Sequence, residues 1–191
     1  MTDYYQTQYQ DYFKRTRSLD PSGFLIPLVN RLNVGDTVLD VGCGSGRDLS
    51  WLKKQGFQPQ GFERSPGLTR LAREASGCEV IEGDFETYDF SGFSVDAILL
   101  VTSLVHLPHH RFKAAMANIM KALQPEGWVL LSLKQGEGFR TDDDGRAFYL
   151  WSEPELETAL SGTNLNIIES TVTLSVKNNE EAIISMLLRS R

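Results

Sequence analysis

The segment VLDVGCGSGRD at 38–48 constrains this chain more than any other. An apolar run carries an acid near its end, Asp40, and is followed by Gly42, Gly44 and Gly46 before an amphipathic stretch opens. Glycines at these positions let backbone amides approach a ligand that side chains would exclude. A strand, a glycine loop and a helix in this order build the first crossover of an open parallel sheet. Such sheets bind ligands in the crevice at the carboxyl ends of their strands. The next apolar run also ends in an acid, Glu63 in GFERS, with Arg64 beside it. A carboxylate there can accept both hydroxyls of a ribose.

From residue 37 onward, short apolar runs alternate with amphipathic stretches, the signature of a parallel α/β sheet. Strands are expected at 37–41, 58–63, 79–81, 95–101 and 128–133. Ser65 followed by Pro66 reads as an N-cap and a first-turn proline, with Leu68, Leu71, Ala72 and Ala75 on one face. The clearest helix is 111–123, where Phe112, Ala115, Met116, Ile119, Met120 and Leu123 keep helical spacing until Pro125-Glu126-Gly127. Before the sheet, Tyr5, Tyr9, Tyr12 and Phe13 would share one helix face, and 21–32 forms a second amphipathic stretch that Pro27 should kink. After the sheet come an irregular Gly- and Asp-rich loop at 135–146 and a helix at 153–160. Two β-rich runs follow, 165–176 and 182–189, around Lys177-Asn178-Asn179-Glu180. So short a connection leaves no room for a crossover helix, so these runs should pair antiparallel.

The length of 191 residues suits a single domain, read as a helical cap at 1–33 and a sheet core at 34–191. Apolar residues at 41% and charged residues at 23% exclude a disordered, collagenous or disulfide-built chain. A net charge of −6 disfavours nucleic acid and membrane surfaces as partners. Two cysteines, Cys43 and Cys78, lack metal spacing and fit a reducing, cytoplasmic setting. The start, MTDYYQTQYQ, shows no secretory signal, and no apolar run approaches the length of a membrane span.

The glycines read G-x-G-x-G, and Arg47 stands where a dinucleotide fingerprint would need its last glycine. Asp40 would repel a pyrophosphate and attract a sulfonium that carries an α-amino group. The charges therefore favour S-adenosylmethionine over NAD. From about residue 20 to the end, the chain resembles the class I S-adenosylmethionine-dependent methyltransferases. The segment at 38–48 is similar to their first motif, Glu63 to their ribose-binding acid and Gly83-Asp84-Phe85 to their adenine-side motif. VDAILLVTSLVHLP at 95–108 and LQPEGWVLLSL at 123–133 are similar to their fourth and fifth strands, with Glu126 in place of a more usual glycine. GSGRD, SLVHLP, the lysine after the fifth strand and DGRAF resemble small stand-alone bacterial, tellurite-resistance-like members.

The resemblance implies a Rossmann-like, doubly wound, seven-stranded α/β sheet, mostly parallel with a C-terminal antiparallel hairpin. It also implies a methyltransferase that uses S-adenosylmethionine and releases S-adenosylhomocysteine. On these positions Asp40 would meet the methionine amino group, with Gly42, Cys43 and Gly44 along the backbone. Glu63 and Arg64 would sit at the ribose, Asp84 and Phe85 at the adenine, and Thr102 and Ser103 at the reacting end. N-terminal helices often cap the cofactor in this family, so Tyr12 and its neighbours are expected over the sulfonium and Arg17 at the methionine carboxylate.

Methyl transfer asks the protein to align a nucleophile, exclude water and, for some nucleophiles, take a proton. His106 is the candidate base; the alternative is a loop histidine holding a backbone carbonyl. His109 and His110 are expected on a solvated helix start, and no metal site is expected. Lys134, Arg140, Arg146 and Arg47 should edge one mouth, with Lys134 and Arg146 holding a small acceptor that bears an anionic or strongly polar group. The alternative is that Arg47 and Arg146 pair with Asp48 and the 142–144 acids. Two other functions stay open: methylation of a protein or tRNA group, and a non-catalytic S-adenosylmethionine-binding regulator. The oligomeric state is open between monomer and homodimer.

Overall fold

The computed structural model describes residues 4–175 and 181–191. Val176 and the polar turn expected at 177–180 lie outside the described residues. Three short helices open the chain: α1 (Tyr4–Thr7), α2 (Tyr9–Thr16) and α3 (Ser22–Val29). The single tyrosine-bearing helix expected from spacing is broken at Gln8, whose φ of −110° and ψ of 20° leave the helical region. The break turns Tyr5 and Tyr12 toward each other, with ring centroids 5.2 Å apart. Tyr9 instead lies on Gly67, where an added Cβ would meet its ring at 2.6 Å.

The sheet core then runs β1 (Thr37–Val41), α4 (Arg47–Lys54), β2 (Gln58–Glu63), α5 (Pro66–Ser76), β3 (Val80–Glu82), β4 (Val95–Val101), α6 (His109–Ile119) and β5 (Leu123–Lys134). A small pair, β6 (Phe139–Thr141) and β7 (Ala147–Tyr149), precedes α7 (Glu153–Leu160), β8 (Leu165–Leu174) and β9 (Ala182–Ser190). Seven strands form one sheet in the order β3-β2-β1-β4-β5-β9-β8. The first five are parallel neighbours, and β9 runs antiparallel to both β5 and β8.

Local chemistry explains most boundaries. Ser65 accepts from the Leu68 amide and Pro66 fills the first turn of α5, which stops at left-handed Gly77. Ser152 and Glu155 close a capping box on α7. The expected helix at 111–123 begins earlier, at His109, and ends at Ile119. Leu123 already belongs to β5, paired with Val95, and the Pro125-Glu126-Gly127 turn is absorbed as an irregularity in the β4–β5 register. The loop at 135–146 is more ordered than expected. Phe139, Arg140 and Thr141 pair with Tyr149, Phe148 and Ala147 around a turn closed by the Gly145 amide on the Asp142 carbonyl.

The two faces of the sheet are covered unequally. On one face Ile98, Leu100, Leu131, Ile184 and Met186 share a continuous buried cluster with Phe112 and Ile119 of α6 and Leu156 of α7. On the other, Leu25 and Leu28 of α3 and Leu52 of α4 pack on Val38, Ala97, Leu99, Leu130 and Leu187. Beyond Leu187 this second face continues onto Ser185, Thr171 and Thr173, which line a cavity. Among the described residues no helix is long and apolar enough to cross a membrane.

Candidate active site

The strand order reverses between β1 and β4, so the chain leaving β1 and the chain leaving β4 diverge and open a crevice. Gly42, at φ +83°, lies so close to the β4 loop that a Cβ would stand 2.5 Å from the Ser103 Cβ. A side chain there has neither the space nor the backbone conformation it needs. Beside this loop the Asp40 carboxyl is 2% exposed, and its Oδ2 has no hydrogen-bond partner. Burial, then the charge of Asp48, push its pKa well above the usual carboxylate range, with Glu63 adding to the rise and Arg47 opposing it. A buried acid oxygen without a donor suits a cationic ligand group.

Glu63 is anchored by the same loop. Its Oε2 accepts from the Gly44 amide at 3.0 Å and its Oε1 from the Ser65 amide at 2.8 Å. Burial raises its pKa while these bonds oppose the rise. A carboxylate offers about four lone-pair positions, so room remains for two further donors such as vicinal hydroxyls. Arg64 and Asp84 follow at the carboxyl ends of β2 and β3, 3.9 Å apart and half-exposed. Phe85 lies next to Asp84 on the same wall.

Two cavities meet at this point. The smaller, about 110 Å³, holds Glu63, Arg64, Asp84, Phe85, Ser103 and His106 on its walls. The larger, about 540 Å³, runs from Asp40, Cys43 and Arg47 across the uncovered face of β5, β9 and β8. Tyr5, Tyr12, Gly42, Val101 and Thr102 line both. Thr102 sits at this junction with φ +51°, a left-handed conformation that is costly for a β-branched residue. Its amide donates to both the carbonyl (3.0 Å) and the hydroxyl (3.1 Å) of Ser132. Small-molecule sites usually span about 300–1,000 Å³. The larger cavity falls in that range; the smaller is narrowed by Tyr5 and Tyr12.

His106 lines the smaller cavity from the 3-10 turn after β4. Its Nδ1 lies 2.6 Å from the Ala147 carbonyl and its Nε2 lies 2.8 Å from the Tyr5 hydroxyl. A carbonyl only accepts, so Nδ1 carries the proton and Nε2 receives the Tyr5 hydroxyl proton in a hydrogen bond. Burial lowers the His106 pKa to about 4, against the Ala147 bond and with help from Arg146 and Lys134. The ring is therefore neutral at physiological pH, with one basic nitrogen toward the crevice. The sequence weighed a base against a carbonyl-holding histidine; Nδ1 does hold the Ala147 carbonyl, and Nε2 is occupied by the Tyr5 hydroxyl.

Several expected positions are corrected. Arg17 is exposed and stacks on Phe13 at 5.2 Å, away from both cavities, because α2 ends with it on the outer face. Tyr9 leaves the aromatic group for the reason given above. Ser103, expected with Thr102 at the reacting end, lies under Gly42 and lines only the smaller cavity. His109 is not solvated: its Nε2 meets the Leu150 carbonyl at 2.9 Å, and its ring packs on Trp151 at 4.2 Å. Of the four rim cations, Arg47, Lys134 and Arg146 do line the larger cavity, but all four are paired. Arg47 is bidentate on Asp48 at 2.6 and 3.0 Å. Lys134 lies 2.6 Å from Glu181, which Arg140 also contacts, and Arg146 lies 2.6 Å from Asp144. Cys43 is buried against the loop, and burial holds its thiol well above its ordinary pKa. Among the described residues no group of three or more His, Cys, Asp or Glu could hold a metal ion.

Phe24 and Pro27 on α3, Glu181, and the β8–β9 hydroxyls all line the larger cavity without having been expected there. The alternation in 165–176 signals a two-faced strand. It does not say which face α3 and α4 leave open.

Residues 38–127 match the family model described as a methyltransferase domain. The chain is 32% identical over 115 residues to methyltransferase GfsG of Streptomyces halstedii, covering 55% of this chain and 41% of that one. It spans less than half the length of the curated relatives it matches. Its fold superposes on magnesium protoporphyrin IX methyltransferase from Synechocystis with bound S-adenosylhomocysteine at a TM-score of 0.80, with 15% identity over 99% of this chain and 97% of that one. A second similar fold is the Burkholderia thailandensis 1,6-didemethyltoxoflavin-N1-methyltransferase, with a TM-score of 0.77, 20% identity and coverage of 97% and 84%.

Proposed function

We propose that this chain is a class I S-adenosylmethionine-dependent methyltransferase and that it methylates a small-molecule acceptor by in-line displacement, a reading supported by its matched core and its fold. One observation carries the cofactor assignment: the buried Asp40 oxygen without a partner, beside Gly42, where a Cβ would stand 2.5 Å from that of Ser103. Asp40, Gly42, Cys43 and Gly44 hold the methionine end, and Glu63 with Arg64 holds the ribose. Asp84 and Phe85 flank the adenine, while Tyr12 and Thr102 wall the reacting centre. Bound S-adenosylmethionine supplies a methyl group already activated by its sulfonium charge.

The work left to the chain is alignment and exclusion of water. The N-terminal helices α1, α2 and α3 act as a cap on the sheet core, closing the crevice through Tyr5 and Tyr12. Lys134 and Arg146 bound the acceptor's end of the larger cavity. His106, neutral with Nε2 toward the crevice, takes the acceptor's proton once the Tyr5 hydroxyl moves off it. The small-molecule acceptor is supported by the larger cavity of about 540 Å³ and by similar folds that carry small-molecule substrates in their names.

Calorimetry with S-adenosylhomocysteine and NAD tests the cofactor. Incubation with S-adenosylmethionine and a metabolite extract, read by mass spectrometry, tests turnover. Micromolar binding of S-adenosylhomocysteine with a new methylated small molecule is expected; tighter binding of NAD would sink the reading.

A further inference from the structure

The charges around the larger cavity are already spent on each other. Lys134, Arg140 and Arg146 are matched by Glu181, Asp142 and Asp144, through contacts of 2.6 Å for Lys134–Glu181, 3.2 Å for Arg140–Asp142 and 2.6 Å for Arg146–Asp144. The Lys134 ammonium also lies 3.7 Å over the Phe148 ring, and the Arg146 guanidinium 4.3 Å over the Tyr4 ring. Burial alone would raise the pKa of Glu181, but the bonds from Lys134 and Arg140 outweigh it and hold the carboxyl low. Arg47 is matched by Asp48. Of the ionisable groups on the cavity wall, Asp40 is assigned to the cofactor and Glu169 stands exposed at the outer end. An anion entering here would have to take a cation from its carboxylate and leave that carboxylate uncompensated, which is costly in a partly buried setting.

The floor is regular, and the row at its centre is uncharged. In the register of β5, β9 and β8, Ser132 lies beside Ser185 and Ser185 beside Thr171, giving one cross-strand row of hydroxyls. The neighbouring row is Leu130, Leu187 and Glu169. Phe24 and Pro27 of α3 supply an apolar wall to the same cavity. Hydroxyls both donate and accept, so the row serves carbonyl, amide and hydroxyl groups alike.

We propose that the methyl acceptor is an uncharged, ring-bearing molecule with hydrogen-bonding substituents, seated on the Ser132–Ser185–Thr171 row against Phe24 and Pro27. This rests on the methyl-transfer reading above and chooses between the anionic and the merely polar acceptor that the sequence left open. The Lys134–Glu181–Arg140–Asp142 cluster then acts as a closed, neutral end wall.

The test uses the full chain saturated with S-adenosylhomocysteine and three probes of one ring and different charge: benzamide, benzoate and benzylamine. Ligand-observed NMR titration should rank benzamide first, with benzoate weaker by about fivefold, the size of one partly exposed ion pair. Glu181→Gln releases Lys134, while Arg140 keeps Asp142, and should narrow that ratio severalfold in favour of benzoate. Ser185→Val should weaken benzamide severalfold. Benzoate or benzylamine binding as tightly as benzamide overturns the proposal, as does failure of all three to bind. An unchanged ratio in Glu181→Gln or unchanged benzamide affinity in Ser185→Val also counts against it, provided the variant still binds S-adenosylhomocysteine. If a variant does not, the wild-type ranking decides alone. Calorimetry of the unliganded chain separates the two failures. If S-adenosylhomocysteine does not bind, the methyl-transfer reading falls, and the probe ranking is read on the unliganded chain.

Discussion

Asp40 concentrates the chemistry of the site in one side chain. Its carboxyl is buried, lacks a partner for one oxygen and sits near Asp48 and Glu63, so the unliganded protein holds it protonated above the ordinary carboxylate range. A bound ammonium favours the carboxylate, so binding expels the proton. S-adenosylhomocysteine affinity should therefore strengthen from acid to neutral pH, and Asp40→Asn should flatten that dependence in calorimetry. Glu63→Ala should cost about 1.5–3 kcal/mol of S-adenosylhomocysteine binding, the range for hydrogen bonds to a charged group. An unchanged isotherm would remove the ribose assignment. For His106, a folded pKa of about 4 lies below the ordinary 6.5 of an imidazole. The unfolded chain then takes up the proton first, so the stabilising contribution is complete above pH 6.5 and lost as pH falls toward 4. Urea unfolding should show wild type losing on the order of 2 kcal/mol more than His106→Gln across that window.

At the scale of elements, the decisive contacts are those that tie α1 and α2 to the sheet core. The Ser65 hydroxyl donates to the Tyr5 carbonyl at 2.6 Å, and Tyr9 lies flush on Gly67. Arg146, from the β6–β7 turn, stacks on Tyr4 and Phe148 and joins the arm to the same helices. Gly67 is helical, so Gly67→Ala would by propensity alone stabilise α5 by up to about 1 kcal/mol. Its new methyl would nevertheless collide with the Tyr9 ring. The expected outcome is faster proteolytic cleavage within 4–16 and weaker cofactor binding, with the unfolding midpoint of the sheet maintained. Normal protection of the N-terminal segment in this variant would show that Tyr9 relaxes without releasing the helix.

For the whole molecule, the proposed ligand would bridge loops after β1, β2, β3 and β4 and the N-terminal helices, and so bind only the folded chain. At S-adenosylhomocysteine a hundredfold above its Kd, mass action should add about 2.7 kcal/mol. For a chain of this length that raises Tm by roughly 5–10 °C. Differential scanning fluorimetry reads this directly, and NAD at the same concentration should leave Tm unmoved. A shift with NAD and none with S-adenosylhomocysteine would contradict the assignment.

The order of strands and helices, the glycine loop and the two acids at strand ends were legible in the sequence because each is a local property. Periodicity, a cap, a turn residue and a charge beside a loop need no distant partner. The ends 37–41, 58–63 and 95–101 coincide with β1, β2 and β4 for that reason. The β6–β7 pair was not legible, since three-residue strands carry too little alternation to read. Nor was the pairing of Lys134 with Glu181, which are 47 positions apart and meet only because β9 lies against β5. Arg17 and Arg146 look equally basic in sequence. Tertiary packing alone puts one on the outer face of α2 and the other between Tyr4 and Phe148. The sequence by itself thus determined the frame and the loop that can receive a cofactor. Only the folded sheet decided which face stays open and which charges remain for a ligand, because both depend on contacts between segments far apart along the chain.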